Sequence, residues 1–231
     1  MLLFLRGYKI IKMKIGEKIY KLIEVGAKTG VGFLPGPISA AFNAVYDNAK
    51  SGVLNARAEK WKSDVVSRLE KLEAEYDAVV NNESFATALI KTSELAIKTE
   101  SDEKRQILAD ALINTYSQNI SEDKTLIFLQ LIEKYTVLHI QIIKYLHDEY
   151  LDERFFNNQA PTFMVLFRLK FNGVEDVYLK KMVKDLQNDY LVEEFRDDAK
   201  VEFWRHRFEL LTQLGKDFYD YLKPAEEEKN L

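Results

Sequence analysis

The sequence predicts a mainly α-helical protein with an N-terminal helical bundle and a C-terminal domain that adds a small β element. Nine glycines and four prolines occur in 231 residues, and five of these thirteen fall in one short stretch, so the remainder is nearly free of helix breakers. Apolar residues recur every three or four positions along most of the chain, as amphipathic helices require. Apolar residues make up 47% and charged residues 30%, which is typical of a globular protein.

We expect a helical domain over residues 1–120, a second domain over 121–224 and an acidic tail over 225–231. In the first domain, Asn82 or Ser84 can cap a helix over 85–97, and Ser101 marks the start of another over 103–117. The second domain begins with a helix from 123 to about 147, which we expect to kink or divide near Thr136.

An apolar hairpin with glycines and prolines is predicted at 26–46. Residues 29–46 carry no charge, which is about the length of a membrane-spanning segment, but Pro35, Gly36 and Pro37 place a turn in the middle. Two interpretations stay open: the hairpin contacts a membrane, or it is buried in the bundle at rest, which we favour. The membrane-contact candidates are Phe33, Leu34, Ile38, Phe42, Val45, Tyr46 and the more distant Trp61.

Charge is distributed unevenly along the chain. The net charge is −4, yet residues 1–63 sum to +7 and residues 121–231 to −6. An excess of positive charge beside an apolar hairpin favours anionic lipid headgroups, although the same residues could simply solvate helices. The candidates for contact with an anionic surface are Lys14, Lys18, Lys21, Lys28, Arg57, Lys60 and Lys62. With no cysteine in the chain, we expect a cytoplasmic protein, and peripheral attachment to the inner face of the membrane is left open.

The C-terminal domain has the order helix, strand, charged turn, strand, helix. A helix over 177–187 turns Leu179 and Val183 inward, 190–195 and 207–211 alternate as short strands, and Thr212 can cap a last helix over 213–222. Residues 178–186, 190–192 and 210–218 carry a resemblance to the winged helix-turn-helix. That resemblance implies an inner helix, a β wing and a second strand that leads into the last helix.

Lysines on the predicted 177–187 helix are candidates for nucleic-acid contact. In DNA-reading winged helices, one helix enters the major groove while basic residues hold the phosphates. The candidates here are Lys180, Lys181 and Lys184 on the helix, and Arg205 and Arg207 near the wing. Acidic residues are interspersed, so we expect a protein contact or a structural role rather than DNA binding.

The sequence predicts neither an enzyme nor a metal or cofactor site. His139 and His147 are eight residues apart, whereas two histidines on one helix that bind the same metal ion are usually three or four residues apart. The chain contains no nucleophile elbow, phosphate loop or dinucleotide fingerprint. A non-catalytic role is therefore expected.

The N-terminal half resembles a group of uncharacterised bacterial proteins, loosely similar to the abortive-infection alpha family of phage-defence proteins. The resemblance rests on the apolar hairpin, on Arg57 and Arg68, and on residues 82–85 and 99–105. It implies a bacterial defence or stress protein that acts at the membrane through the hairpin, while the C-terminal domain binds a protein partner or senses a trigger. The alternatives are a DNA-binding regulator and a protein-binding adaptor, and a homo-oligomer is left open.

Overall fold

The computed structural model describes residues 52–71, 82–149, 162–194 and 210–224, and these are mainly helical. The predicted apolar hairpin at 26–46 and the acidic tail at 225–231 lie outside them. The chain divides into a first unit, Met1–Lys134 with Tyr221–Leu231, and a second unit, Tyr135–Asp220. The described helices are α1 Gly52–Lys71, α2 Glu83–Lys98, α3 Asp102–Ser117, α4 Glu122–Lys134, α5 Val137–Lys144, α6 Phe163–Lys170, α7 Asp176–Asn188 and α8 Gln213–Leu222; a π-helical turn, Tyr145–Glu149, follows α5.

Side-chain caps begin α2 and α3 of the first unit. The Asn82 side chain accepts a hydrogen bond from the backbone N–H of Phe85 (2.8 Å), and Ser101 Oγ accepts one from Lys104 (3.1 Å). Each cap satisfies an amide that would otherwise have no partner in the first turn. The predicted starts of both helices are therefore confirmed, with Asn82 rather than Ser84 as the cap.

The core of the first unit lies where α1, α2 and α3 pack on one another. α1 buries Ala58, Trp61, Val65 and Leu69, a stripe at helical spacing. The Trp61 indole N–H donates to Ser93 Oγ of α2 at 2.9 Å, so the ring is buried with its polar atom satisfied. This core is extended by α4, whose Phe128, Leu129 and Ile132 are buried.

The division between the units falls after Lys134, whereas the sequence places a boundary at residue 120. The reason is that α4 packs on α2: Thr87 lies 3.3 Å from Glu122 at one end of α4, and Lys91 lies 2.8 Å from Glu133 at the other. The end of the chain also belongs to the first unit, since Asn114 Nδ2 donates to the backbone carbonyls of Tyr221 (3.0 Å) and Lys223 (2.7 Å). The predicted division of the 123–147 helix is confirmed, because Tyr135 and Thr136 separate α4 from α5.

In the second unit, α6 and α7 form two helices joined by a short turn, residues 171–175. Gly173 in this turn has φ of +91°, a conformation that residues with a side chain rarely adopt. Phe163, Leu166 and Phe167 of α6 and Leu179, Val183 and Leu186 of α7 are buried. The tyrosine ring of the π-helical turn, Tyr145, packs edge-on against Phe167 at 5.9 Å and Phe171 at 5.8 Å, which fixes the C-terminal end of α6.

After α7 the chain pairs with the segment that leads into α8. Val192 and Leu211 form an antiparallel bridge, flanked by hydrogen bonds from Glu193 N to Leu210 O (2.8 Å) and from Thr212 N to Leu191 O (3.1 Å). Within the described residues this pairing does not extend into the regular strands predicted at 190–195 and 207–211, and residues 195–209, which include the predicted charged turn, lie outside them. The observed fold is therefore mainly α.

The start of α8 is fixed by two small residues. Thr212 Oγ1 accepts a hydrogen bond from Gly215 N at 3.0 Å, which confirms the predicted cap. A Cβ on Gly215 would collide with the carbonyl oxygen of Leu191, so only glycine permits α8 to approach the paired segment this closely.

Candidate functional site

Exposed apolar side chains are concentrated on α6, on α7 and at Tyr190, two residues after the C-terminal end of α7. Eight large apolar or aromatic side chains are exposed among the described residues, and five of them occur between 165 and 190. Their exposed fractions run from 38% for Val165 to 76% for Tyr190. We call this set the outer surface, and its members are Val165, Leu169, Val177, Tyr178 and Tyr190.

Helix spacing relates two members of this set, and one ion pair links α6 to α7. Val165 and Leu169 are four residues apart on α6 and therefore lie on one face. Between α6 and α7, Arg168 pairs with Asp176 through two contacts, Nε to Oδ1 at 2.6 Å and Nη2 to Oδ2. This pair joins the residue before Leu169 to the residue before Val177. The guanidinium of Arg168 lowers the pKa of Asp176, so the pair stays ionised at neutral pH.

Tyr190 owes its exposure to the way α7 ends. Its φ is +58°, the left-handed conformation that commonly terminates a helix. The amide of Leu191 then bonds back to the carbonyl of Leu186 at 3.0 Å, and Tyr190 N bonds to Gln187 O at 3.0 Å. This pattern is a Schellman cap, which usually contains glycine, and here it turns an aromatic side chain to solvent.

Three lysines, Lys180, Lys181 and Lys184, lie on the exposed side of α7, and we call them the lysine row. Lys181 contacts both carboxylate oxygens of Asp185, at 2.6 Å to Oδ2, and Lys184 lies 3.4 Å from Glu194. These carboxylates neutralise part of the row and leave it less available to phosphate. The other nucleic-acid candidates, Arg205 and Arg207, lie outside the described residues.

Behind the lysine row is a cluster of polar residues that sequence reasoning did not assemble. The His139 ring is buried and stacks on Tyr135, with ring centroids 4.9 Å apart, and its Nε2 lies 3.5 Å from Asp185 Oδ2. The Tyr135 hydroxyl donates to Asp189. Two carboxylates of α7 are thus tied to the segment that begins α5. The signal in the sequence was the four-residue spacing of Asp185 and Asp189, which places both carboxylates on one face of the helix.

Electrostatics fix the ionisation of two members of this cluster. Burial tends to raise the pKa of Asp185, but Lys181 and His139 outweigh it and hold this pKa below its usual value. Burial, reinforced by Asp189, raises the pKa of Tyr135 far above its usual range. At neutral pH, Asp185 is therefore a carboxylate and Tyr135 a neutral hydrogen-bond donor.

The membrane-contact and anionic-surface candidates that the structure describes make contacts within the first unit. Trp61 is only 1% exposed, so in this conformation it is buried rather than placed for a lipid headgroup. Arg57 donates to the carbonyls of Ile97 (3.4 Å) and Lys98 (3.5 Å) at the end of α2, and Lys60 pairs with Asp102 at 2.7 Å. Lys62 is buried, and its ammonium group lies 3.6 Å from Glu59.

The remaining membrane and anionic-surface candidates lie outside the described residues: Phe33, Leu34, Ile38, Phe42, Val45, Tyr46, Lys14, Lys18, Lys21 and Lys28. No single helix of the described segments is long and apolar enough to cross a membrane, and one adjacent pair, Glu122–Lys134 with Val137–His147, meets the length and composition requirement only in combination. In the same segments, no group of three or more histidine or acidic side chains is arranged to hold a metal ion.

Sequence reasoning identified the lysine row but missed the apolar members of the outer surface. Val177 and Tyr178 could have been found, because they lie off the inward stripe of Leu179, Val183 and Leu186. Val165 and Leu169 were hidden because α6 was not predicted. Comparison with protein-family models, with curated proteins and with solved structures gives no match to this chain.

Proposed function

We propose that this chain is a non-enzymatic bacterial defence or stress protein of the abortive-infection type, and that its second unit binds a protein partner through the outer surface. The observation that carries the partner-binding part is the concentration of exposed apolar side chains on α6 and α7. Burial of one valine or leucine side chain is worth roughly 1.5–3 kcal/mol, so a fold gains nothing from leaving several of them in water. Clustered apolar exposure marks interaction sites.

The chemistry of the outer surface favours a protein over a nucleic acid. Tyrosine and aliphatic side chains are typical of the centre of protein interfaces, where charged groups are depleted. Two of the three lysines in the row already have carboxylate partners, Asp185 and Glu194. A phosphate backbone would have to displace these partners within a region whose net charge is negative, as the −6 of residues 121–231 indicates.

A DNA-binding regulator is the second candidate, and one observation favours it. The lysine row lies on the exposed side of α7, and if α6 and α7 act as a helix-turn-helix, α7 is the helix that enters the major groove. The antiparallel pairing of Val192 with Leu211 supports a winged form of the motif. Under this hypothesis a gel shift is expected at low salt and is abolished by neutralising Lys180, Lys181 and Lys184, whereas no shift that depends on these lysines is expected under ours.

The membrane part of the proposal concerns the hairpin at 26–46. Its support is the uncharged run at 29–46 and the lysines that precede it, Lys14, Lys18, Lys21 and Lys28. We propose that the hairpin is buried at rest and contacts anionic lipid on activation. Flotation with vesicles of phosphatidylglycerol and with neutral vesicles tests this part. We expect the activated protein to bind the anionic vesicles and not the neutral ones. Failure to bind anionic vesicles under any activating condition overturns this part of the proposal.

A matched pair of valines allows a direct test of the outer surface. Val177 and Val53 are equally exposed, at 64% and 65%, but Val53 lies on α1 of the first unit. The chain is expressed in a bacterial host that is challenged with a panel of phages, and survival is compared for wild type, Val177→Asp and Val53→Asp. We expect protection by wild type and by Val53→Asp, and its loss in Val177→Asp.

Two results would overturn the proposal at different points. If wild type protects against no phage or stress in the panel, the defence part is wrong. If Val177→Asp protects as well as Val53→Asp, the outer surface is not the functional one. Equal free energies of unfolding for the two variants, measured in urea, exclude misfolding as the explanation of a loss.

A further inference from the structure

Asp185 lies between Lys181 on the solvent side and His139 in the interior of the second unit, and it contacts both of these basic side chains. From the solvent side, Lys181 Nζ contacts both of its carboxylate oxygens, at 2.6 Å to Oδ2. From the interior, His139 Nε2 lies 3.5 Å from the same Oδ2, longer than a normal hydrogen bond. In this structure the carboxylate therefore interacts mainly with Lys181, and the imidazole of His139 is a second, more distant neighbour.

The hydrogen bonds of His139 define which of its nitrogens carries the proton. The backbone N–H of Thr136 donates to Nδ1 at 3.2 Å, so Nδ1 acts as the acceptor, and the Thr136 hydroxyl lies 2.9 Å from it. A neutral imidazole has one donor and one acceptor nitrogen, so Nε2 carries the hydrogen and presents it to Asp185. A second proton has to enter at Nδ1.

Protonation changes both sides of the ring. At Nδ1 the imidazolium can no longer accept from Thr136 N–H, though it can donate to the Thr136 hydroxyl. At Nε2 the contact with Asp185, which is too long for a hydrogen bond in this structure, becomes an attraction between opposite charges and can close to a charge-assisted hydrogen bond. The groups that face the ring include Tyr135 and Thr136 before α5, and Asp185 on α7; Asp189 is reached through the Tyr135 hydroxyl and Lys181 through Asp185. Among these types of side chain, histidine is the one whose ordinary pKa lies nearest neutral pH.

We infer that His139 is a proton-operated switch that competes with Lys181 for Asp185 and thereby sets whether Lys181 is held or released on the outer side of α7. With His139 neutral, Asp185 retains Lys181. With His139 protonated, Asp185 turns to the imidazolium, and Lys181 becomes available to a carboxylate on a partner. This inference rests on the proposed function, because Lys181 is one helical turn from Val177 on the outer surface. The low pKa of Asp185 supports the switch, since the carboxylate stays ionised while the histidine titrates.

Nuclear magnetic resonance of the full chain tests the switch without any partner. The ring proton of His139 is assigned by its loss in His139→Gln, and the Cε signals of Lys181 and Lys184 are followed from pH 8 to pH 5. Lys184 is the matched control, since it lies on the same helix but pairs with Glu194. We expect the Lys181 signal to shift with the same midpoint as the His139 ring, and the Lys184 signal to be independent of it.

Three variants test whether His139 and Lys181 compete for Asp185 or merely lie near each other. In Lys181→Gln, the His139 midpoint should rise by roughly one pH unit, because the carboxylate is no longer shared. In His139→Gln, the Lys181 shift should disappear. Asp185→Asn should lower the His139 midpoint and remove the coupling; if this variant does not fold, the other two still decide. A Lys181 signal that ignores the His139 midpoint, or that behaves as Lys184 does, overturns the inference.

The outcome is distinguishable from a failure of the proposed function. Coupled titration in the isolated chain, combined with full protection by Val177→Asp, would leave the switch intact and reject the partner surface. Uncoupled titration, combined with loss of protection in Val177→Asp, would reject the switch and retain the surface.

Discussion

The two units use basic side chains in different ways. On α1 of the first unit, Arg57 and Arg68 hold α2 and α3: Arg57 donates to the last carbonyls of α2, and Arg68 donates to Asp110 and Gln106 of α3, each at 2.6 Å. On α7 of the second unit, Lys181 and Lys184 pair with carboxylates on α7 itself or just after it, Asp185 and Glu194. A basic run that resembles a membrane-contact surface in the sequence thus serves internal packing in α1, whereas the lysine row of α7 stays on the exterior.

This contrast separates side chains that pack within a unit from side chains that remain exposed. In the first unit, basic and aromatic side chains of α1 face neighbouring helices, so their replacement should cost stability. In the second unit, the side chains of the outer surface and the lysine row are exposed and bury little area within the fold. Their replacement should therefore weaken partner binding and change the free energy of unfolding only slightly. Each of the following predictions tests one side of this contrast.

Trp61→Ala should have the largest effect on stability. The indole is buried against α2 and its N–H donates to Ser93, so truncation leaves a large cavity and an unpaired hydroxyl. We expect a loss of about 3–5 kcal/mol in the free energy of unfolding, measured by urea denaturation with circular dichroism. Trp61→Phe is the control and should lose less. A Trp61→Ala variant as stable as wild type would place this residue on the surface and contradict the contrast.

Arg68→Ala should come next. Arg68 and Asp110 are largely buried, and Gln106 in turn donates to Asp64 at 3.0 Å, so truncation leaves a carboxylate without its strongest partner. The expected cost is about 2–3 kcal/mol. Lys184→Ala on α7 is the matched comparison, because its partner Glu194 is exposed, and it should change stability by less than about 0.5 kcal/mol. Equal costs for the two variants would erase the difference between the units.

Alkaline pH should destabilise both units through buried tyrosines. Burial raises the pKa of Tyr135 in the second unit and of Tyr221 in the first, where its hydroxyl also bonds to Thr115 at 2.8 Å. Because tyrosines in the unfolded chain ionise near pH 10, this contribution to stability is complete below about pH 10 and declines as the pH rises further. The free energy of unfolding measured from pH 8 to 11 should fall. Tyr221→Phe should cost about 1 kcal/mol at pH 7 and reduce the alkaline slope; an unchanged slope contradicts the assignment.

Val177→Asp should have the smallest effect on stability. Its side chain is as exposed as that of Val53, so both aspartate variants should unfold within about 0.5 kcal/mol of wild type. The same urea titration gives the values. A loss of several kcal/mol for Val177→Asp alone would mean that Val177 packs against the unit that carries it, and the outer surface would then be part of the fold rather than a contact site.

Much of the first unit could be predicted from the sequence because its signals are local. The caps at Asn82 and Ser101 and the break at Thr136 follow from short-range chemistry. α6 could not be predicted, because its eight residues, 163–170, include six apolar ones and show no clean period. The burial of Trp61 was within reach: it lies four residues before Val65 on the stripe that continues to Leu69, and this spacing outweighs the basic neighbours that suggested a lipid contact.

The candidate site was harder to predict for a physical reason. Whether an apolar side chain is exposed depends on which distant parts of the chain pack over it. The periodicity of apolar residues within one helix does not contain that information. The ties from Tyr135 to Asp189 and from His139 to Asp185 join residues 54 and 46 positions apart. The lysine row was found because charge and helical spacing are local properties, whereas the contact of His139 with Asp185, the partner of Lys181, was found only through the fold.

Photo-crosslinking from the matched valines tests the central claim most directly. A benzophenone amino acid is placed at position 177 or at position 53 of the full chain, the cells are irradiated, and the adducts are identified by mass spectrometry. We expect one discrete protein adduct from position 177 that disappears when Leu169→Asp is added, and no such adduct from the equally exposed position 53. Identical adduct patterns from the two positions, or an adduct from position 177 that survives Leu169→Asp, would contradict it.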